Sequence, residues 1–272
     1  LKGIPVLYTP YFSHPDPTVK RRSGFLFPSI GSTSYLGQYI TPKYFWAIDD
    51  HQDITFSPSI TADRGILWGG TINKYGEKGY LSATGTFINA EERLGYEEDK
   101  EFGDKRNRGN LFLTGRYELN DYWVADTDIN YASDRYYLKD ISLPQKDNTW
   151  LTSRASLQGF DNRNYANISA YYYKLVTYLD LPINEEKPLV LPLMSYENVG
   201  DPNRYGAYSK TTFDFASVLR DEESSAQRLT MINSWNLPYT SPYGEKYKLV
   251  ASVKSDLYYV DNYLNPKDET FS

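Results

Sequence analysis

The chain has 272 residues, of which 40% are hydrophobic and 24% are charged, and its formal net charge is −6. This acidic balance, without a basic stripe, argues against nucleic-acid binding, and the sequence contains no run of about 18 apolar residues that would form a membrane-spanning helix. The 27 tyrosines suit a β-barrel whose lipid-facing surface is bordered by aromatic girdles. Because the chain has no cysteine, its composition leaves the redox compartment open.

Residues 1–20 begin with apolar side chains at alternate positions, Ile4, Val6 and Tyr8, and continue with three prolines. Such alternation is typical of a strand, and the prolines predict a stiff, irregular exit from it. We interpret this segment as the last strand of a preceding domain. The first residues lack the charged and apolar regions of a signal peptide, so we expect a mature or excised piece of chain.

The next segment, residues 21–60, organises the rest of the chain. It starts with RRSGFLFPSIG and a short run of Ser, Thr and Gly, and we assign residues 21–34 to a hinge linker. Two strands with alternating apolar and polar residues follow, and each contains a proline, Pro42 and Pro58. Because proline cannot donate a hydrogen bond to a neighbouring strand, we expect weak or edge pairing at both positions.

The same alternation continues to residue 260 and predicts twelve strands in all. They start near residues 35, 53, 65, 80, 109, 121, 150, 165, 189, 205, 228 and 246. This spacing suits membrane strands of about 9–11 residues separated by turns. If the short turns share one end, a further strand is needed after residue 131, and residues 135–141 (RYYLKDI) are the candidate. We therefore expect about 13 antiparallel strands of a β-barrel.

The alternation also assigns side chains to the two faces of the sheet, because successive residues of a strand point to opposite sides. Four tryptophans are expected to face outward, toward lipid: Trp46, Trp68, Trp123 and Trp235. Six charged residues are expected to face the interior: Asp126, Asp128, Arg154, Lys210, Asp214 and Lys254. A barrel with an apolar exterior and a polar interior accounts for both sets.

RRSGFLFPSIG, followed by proline-bearing strands, resembles the outer-membrane LPS-assembly protein D family, also called organic-solvent-tolerance proteins. Three other segments fit the same family: GIPVLYTP at residues 3–10, NYASDRYYLKDI at residues 130–141 and QRLTMINSWNLPY at residues 227–239. The resemblance implies an all-β chain in which residues 1–20 end a periplasmic β-jelly-roll. Residues 21–34 are then the hinge linker, and residues 35–272 form the first part of a transmembrane β-barrel.

The resemblance also implies a function and its partners. Lipopolysaccharide (LPS) would pass from a periplasmic bridge protein, through the jelly-roll, into the outer leaflet of a Gram-negative outer membrane. The whole barrel of the family has about 26 strands, which is within the known range for such barrels. The resemblance thus implies that the roughly 13 strands expected here form an open half of a larger barrel. It encloses a plug lipoprotein and opens laterally between its first and last strands. No chemistry, cofactor or metal is implied.

Particular residues acquire expected roles through the resemblance. Pro42 and Pro58 match prolines of the gate strands, and Phe25, Phe27 and Pro28 are expected to lie on the path of the LPS acyl chains. Four residues match a recurring motif of the family: Ser133, Asp134, Tyr137 and Asp140. We expect these four to have a structural role that fixes a turn and a following short strand, with Asp134 initiating the turn.

Other functions fit the sequence less well. The chain has only two histidines, and the polar run at residues 49–53 is more typical of a solvated turn than of a metal site. Asp126 and Asp128 share a strand face and would suit paired acid–base catalysis, but a polar barrel interior explains them with no further assumption. A passive porin and a soluble ligand-binding β-sandwich remain alternatives. A porin has no need of SGFLFP after another domain, and a soluble protein would stay in buffer without detergent.

Overall fold

The computed structural model describes residues 21–93, 102–144, 147–176, 189–219 and 225–261. The predicted jelly-roll segment, residues 1–20, lies outside these ranges. The described residues form one antiparallel sheet and one short helix. No helix in the described ranges is long and apolar enough to span a membrane.

The strands follow one another in chain order. They are β1 (Gly24–Thr33), β2 (Gly37–Ala47), β3 (Gln52–Phe56), β4 (Ser59–Thr61), β5 (Gly65–Gly76), β6 (Gly79–Arg93), β7 (Phe102–Glu118), β8 (Trp123–Ala132), β9 (Trp150–Asp161), β10 (Asn164–Leu175), β11 (Leu189–Val199), β12 (Tyr208–Leu219), β13 (Ser225–Thr240) and β14 (Lys246–Asp261). The helix α1 (Tyr137–Asp140) lies in the connection between β8 and β9. Strands β3 and β4 lie in one line, because both pair with β2 on one side and β5 on the other.

The sheet is open. Within the described residues, β1 pairs only with β2, and β14 pairs only with β13. The predicted fold class, an all-β antiparallel sheet that forms part of a β-barrel, is confirmed. An unpaired strand edge is unfavourable in hydrocarbon, where each unsatisfied backbone group costs several kcal/mol, so both edges require a partner strand there.

The structure corrects two strand assignments. The predicted linker at residues 21–34 contains β1, and the predicted short strand at residues 135–141 is instead α1 with its flanking bends. The alternation in β1 is interrupted at Phe27 and Pro28, where the register shifts, so no continuous period of two was visible. In the second segment Tyr137, Leu138 and Asp140 are all buried, and this spacing suits a helical turn rather than a strand. Whether residues 21–34 also serve as a hinge stays a prediction.

The longest connections lie at one end of the sheet, and several short turns lie at the other. Residues 77–78, 119–122, 162–163 and 241–245 form short connections at one end, which we call the short-turn end. The two longest connections, β8–β9 and β10–β11, lie at the opposite end, which we call the long-loop end. This end also carries the β6–β7 connection and the three-residue turns at 34–36 and 62–64. Strand β1 therefore supplies the extra strand that the turn pattern required, and it begins at the short-turn end.

The strand register separates side chains into two faces across the whole sheet. Successive pairs place the four tryptophans on one face, the apolar face: Trp46, Trp68, Trp123 and Trp235. The predicted charged set lies on the other, the polar face: Asp126, Asp128, Arg154, Lys210, Asp214 and Lys254. The predicted separation of these residues is confirmed.

Candidate functional site

A band of weakened strand pairing crosses the first strands of the sheet. Between β1 and β2, Leu26 pairs with Lys43, but the next pair is Ser29 with Thr41. Phe27 and Pro28 therefore stand opposite the single residue Pro42, which is the arrangement of a β-bulge. Neither proline has an N–H, so the ladder loses donors on both strands at the same level.

The interruption continues on the other side of β2. This strand pairs with β3 from Tyr44 onward and with β4 at Tyr39 and Ile40, but the stretch that contains Ser57 and Pro58 belongs to neither strand. A bond of 2.6 Å between the hydroxyls of Thr41 and Ser59 crosses the gap. Side chains thus replace part of the missing backbone ladder.

The interruption ends at β5. Ser57 N–H donates to the carbonyl oxygen of Gly69 at 2.8 Å. A Cβ at position 69 would lie only 2.9 Å from the carbonyl oxygen of Ser57, so glycine permits this close approach. We call the region around Pro28, Pro42 and Pro58 the proline seam. The register therefore places Pro42 and Pro58 at one level of the sheet and adds Pro28 to them.

Strand β1 exposes large apolar side chains next to the proline seam. Phe25 is 83% exposed, Phe27 is 90% exposed and Ile30 is 80% exposed. Phe25 makes an edge contact with Tyr44 of β2, with ring centroids 5.1 Å apart. Because β1 is also an edge strand within the described residues, its apolar side chains adjoin unpaired backbone groups.

At the short-turn end, Arg21 holds the start of β1 to the following hairpin. Its guanidinium donates to the carbonyl oxygen of Asp50 at 2.7 Å and forms an ion pair with Asp53. Asp53 is 6% exposed and also accepts a hydrogen bond of 2.8 Å from the Asn73 side chain. The acidic run at residues 49–53 is therefore part of a structural ion-pair network, and no group of potential metal ligands occurs in the described ranges.

At the long-loop end, a buried arginine binds the β8–β9 connection to the sheet. The Arg108 side chain is fully buried, and its Nε and Nη2 donate to the two carboxylate oxygens of Asp134, both at 2.8 Å. Nη2 also donates to Asp140 Oδ2 at 2.8 Å. The guanidinium lies 5.1 Å from the ring centre of Tyr35 and 5.4 Å from that of Tyr137. We call these five residues the Arg108 cluster.

The four predicted motif residues all take part in this arrangement. Ser133 Oγ accepts from Gly109 N–H at 3.0 Å and donates to Asp134 at 2.8 Å. The Tyr137 hydroxyl lies 2.7 Å from Thr86 Oγ1. Asp134 accepts the Tyr136 N–H at 3.1 Å and so begins the turn, as predicted, although a helix rather than a strand follows. Sequence reasoning missed Arg108, because a period of two indicates a face but not a partner 26 residues away.

Interactions with Arg108 explain why Asp134 stays charged although it is buried in the Arg108 cluster. Burial alone would raise the pKa of Asp134, but its hydrogen bonds and charge interaction with Arg108 hold that pKa below its ordinary value. Burial raises the pKa of the Tyr137 hydroxyl, which therefore stays neutral. A buried arginine with two carboxylates is favourable only when its donors are satisfied, and the three carboxylate bonds satisfy most of them.

The Arg108 cluster also holds the β1–β2 hairpin. Tyr35, in the turn between these strands, is 1% exposed, and its hydroxyl donates to the carbonyl oxygen of Glu91 in β6. Arg64 forms an ion pair with Glu91 and lies 4.8 Å from the Tyr35 ring centre. The hairpin is thus fastened at the long-loop end by Tyr35 and at the short-turn end by Arg21. The proline seam lies between these two anchors.

Comparisons with known proteins agree with the resemblance. Residues 106–272 match the family model described as "LptD: LPS transport system D". The chain is 31% identical to the LPS-assembly protein LptD of Mannheimia succiniciproducens, over 94% of this chain and 31% of that protein. It is 29% identical to that of Legionella pneumophila strain Lens, over 67% of this chain and 25% of the relative. For Pseudomonas savastanoi pv. phaseolicola the identity is 26%, over 98% of this chain and 29% of the relative. The chain therefore spans less than a third of the length of these relatives.

Proposed function

Because the chain belongs to the LptD family of LPS transport proteins, we propose that it is the first part of an outer-membrane β-barrel that delivers LPS to the outer leaflet of a Gram-negative bacterium. The observation that carries this proposal is the proline seam beside the exposed apolar residues of β1. A transported lipid with several acyl chains needs both a weak point in the barrel wall and an apolar surface next to it. The β1–β2 region supplies the two features together.

The lateral exit lies at the free edge of β1 in this proposal. Pro28, Pro42 and Pro58 remove donors at one level, and each lost hydrogen bond forgoes about 0.5–1.5 kcal/mol. Phe25 and Phe27, which are exposed on the same strand, contact the acyl chains as they leave. Strand β1 faces the last strand of the complete barrel, and β14 continues into the remainder of the barrel.

The direction of the sheet follows from its turns. Barrels of the outer membrane place their short turns in the periplasm, so the short-turn end and the start of β1 are periplasmic. Residues 1–20 then connect the barrel to a periplasmic β-jelly-roll, which receives LPS from a bridge protein. The polar face lines the interior and contacts the plug lipoprotein.

The protein performs no catalysis in this proposal. Asp126, one of the two acidic residues considered for acid–base catalysis, accepts hydrogen bonds from Arg116 at 3.1 Å and from Gln158 at 2.9 Å. Such pairing is expected of an interior wall. A passive porin would have a similar wall, but it would gain nothing from a weak seam at an apolar strand edge.

The assignment of the two faces predicts opposite responses to an added charge. Ile129 lies on the apolar face opposite Leu113, and Thr114 lies on the polar face opposite Asp128. Ile129→Arg is expected to destabilise the folded barrel by up to about 2–4 kcal/mol near the membrane midplane. Thr114→Arg, facing a carboxylate, is expected to change stability by less than about 1 kcal/mol. Urea unfolding in lipid vesicles measures both, and equal tolerance would contradict the face assignment.

Depletion of the full-length protein tests the function itself. Cells that lose the protein are expected to accumulate newly made LPS on the periplasmic side of the outer membrane and to lose LPS from the cell surface. Surface labelling measures this loss. Restoring the protein should return surface LPS, whereas an unrelated porin should not. Normal surface LPS during depletion, with solute uptake reduced instead, would favour the porin.

A further inference from the structure

A groove crosses the apolar face of the sheet away from the proline seam. Its volume is about 680 Å³, within the range of about 300–1,000 Å³ that is typical of ligand pockets. It extends from β5 to β11. Leu81 and Leu191 are among its lining residues, one toward each side. The groove begins at β5, three strands from the free edge of β1, and nothing in the proposed transport step uses it.

The groove follows one row of directly opposed residues on six neighbouring strands. In order from β5 to β10, the row consists of Lys74, Leu81, Gly115, Thr127, Ala155 and Ala170. Its last four members are small. Three spacings between neighbouring strands, about 14 Å, separate Gly115 from Ala170. This length is close to the roughly 15 Å of hydrocarbon in one membrane leaflet.

The row descends from the rim of the sheet toward its middle. Lys74 lies three residues before Glu77 in the β5–β6 turn, whereas Ala155 and Ala170 each lie seven residues from the β9–β10 turn at residues 162–163. All these turns belong to the short-turn end. The charged member of the row is therefore at the membrane surface, and the small members lead inward from it.

Lys74 gives the row a charged end. It lies on the apolar face by register, it is exposed, and among the described residues it forms no ion pair. An unpaired ammonium beside an apolar groove complements an amphiphile with an anionic head and an apolar tail.

We infer that this groove holds one glycerophospholipid of the periplasmic leaflet, with its phosphate at Lys74 and one acyl chain along Gly115, Thr127, Ala155 and Ala170. The inference rests on the membrane location in the proposed function. The ligand comes from the leaflet at the short-turn end, so it is a phospholipid and not the transported LPS. One bound phospholipid there fills a hollow that a flat lipid surface would leave poorly packed.

Filling the groove tests this inference. The full-length protein is placed in lipid nanodiscs that contain a phosphatidylglycerol with a photoreactive group on its acyl chain, and labelled peptides are identified by mass spectrometry. We expect labelling to concentrate on β7–β10. In the Ala155→Leu/Ala170→Leu variant this labelling should fall about tenfold, equivalent to 1.4 kcal/mol of binding. The matched control, Thr211→Leu, adds bulk on the same face of β12 outside the groove and should not change it.

A second pair of variants tests the charged end. Lys74→Gln should reduce the number of phosphatidylglycerol molecules retained after mild delipidation, whereas Lys248→Gln, on the polar face of β14, should not. Uniform labelling around the apolar face, or equal labelling of the groove-filled variant, would overturn the inference. Both of these results concern lipid binding in nanodiscs and say nothing about LPS export. A failure of the proposed function would be seen in a different experiment, as normal surface LPS in cells depleted of the protein.

Discussion

Replacing Arg108 by methionine is expected to prevent stable assembly of the barrel. The substitution removes the partner of two buried carboxylates, since Asp134 and Asp140 both bind Arg108 at 2.8 Å and are 5% and 3% exposed. Leaving a buried charge without its partner costs about 3–5 kcal/mol, which is a large part of the stability of a typical domain. The full-length variant should lose its heat-modifiable migration in gel electrophoresis and its level in the outer membrane should fall.

Two further variants test whether the loss of assembly comes from breaking the buried ion pairs rather than from removing any arginine. Arg116→Met removes a half-exposed pair with Asp126, which is worth at most about 1 kcal/mol, so assembly should be nearly normal. The triple variant Arg108→Met/Asp134→Asn/Asp140→Asn removes the stranded charges together with the arginine. It should recover part of the loss, because neutral amides are less costly to bury. Normal assembly of Arg108→Met alone would show that the cluster does not hold the β8–β9 connection.

Replacing Pro42 and Pro58 by alanine is expected to slow LPS export while the barrel still assembles. The change restores two backbone donors to β2 and to the stretch between β3 and β4, which pair poorly at this level. Two recovered hydrogen bonds strengthen the seam by about 1–3 kcal/mol. If opening of the seam limits export, a change in this range lowers the rate by about 5–150-fold. Surface labelling of newly made LPS measures the rate.

The control for this prediction is a proline elsewhere in the sheet. Pro238 lies in β13, paired with Lys248, and Pro238→Ala should leave export unchanged. Heat-modifiability of all variants must match the parent protein, so that export is compared between folded barrels. Parent-like export from a correctly folded Pro42→Ala/Pro58→Ala variant would refute the role of the seam.

The periodic strands could be predicted from sequence because each uses the simplest pattern of a two-faced sheet. In β8, the apolar residues at odd positions from Trp123 to Tyr131 alternate with Asp126 and Asp128, and the register reproduces this separation. The same holds for β14, where Lys254 and Asp256 share one face. Each of the twelve predicted strands therefore corresponds to strand structure in the sheet, although β7 starts seven residues earlier than predicted and the second predicted strand is divided into β3 and β4.

The bulge in β1, the helix α1 and the alignment of the prolines depend on contacts between distant residues, which the alternation of apolar and polar residues does not reveal. The bulge at Phe27 and Pro28 reverses the parity of β1, so Phe25 and Ile30 reach the same face although their positions differ by an odd number. The sequence RYYLKDI alternates well enough to imitate a strand. It folds as a helical turn because Asp134 and Asp140 both bind Arg108, which lies on strand β7. Likewise, the prolines were visible in the sequence, but their alignment at one level required the register.

The most direct test of the lateral exit is site-specific photocrosslinking in growing cells. A photoreactive phenylalanine analogue is placed in the full-length protein at Phe27 on β1 or, as a control, at Phe213, which is also exposed on a strand surface but lies on β12. If LPS leaves along β1, position 27 should capture LPS only while transport is active, and position 213 should capture none above background. Equal capture at both positions, or none at position 27 in an export-competent barrel, would contradict the account.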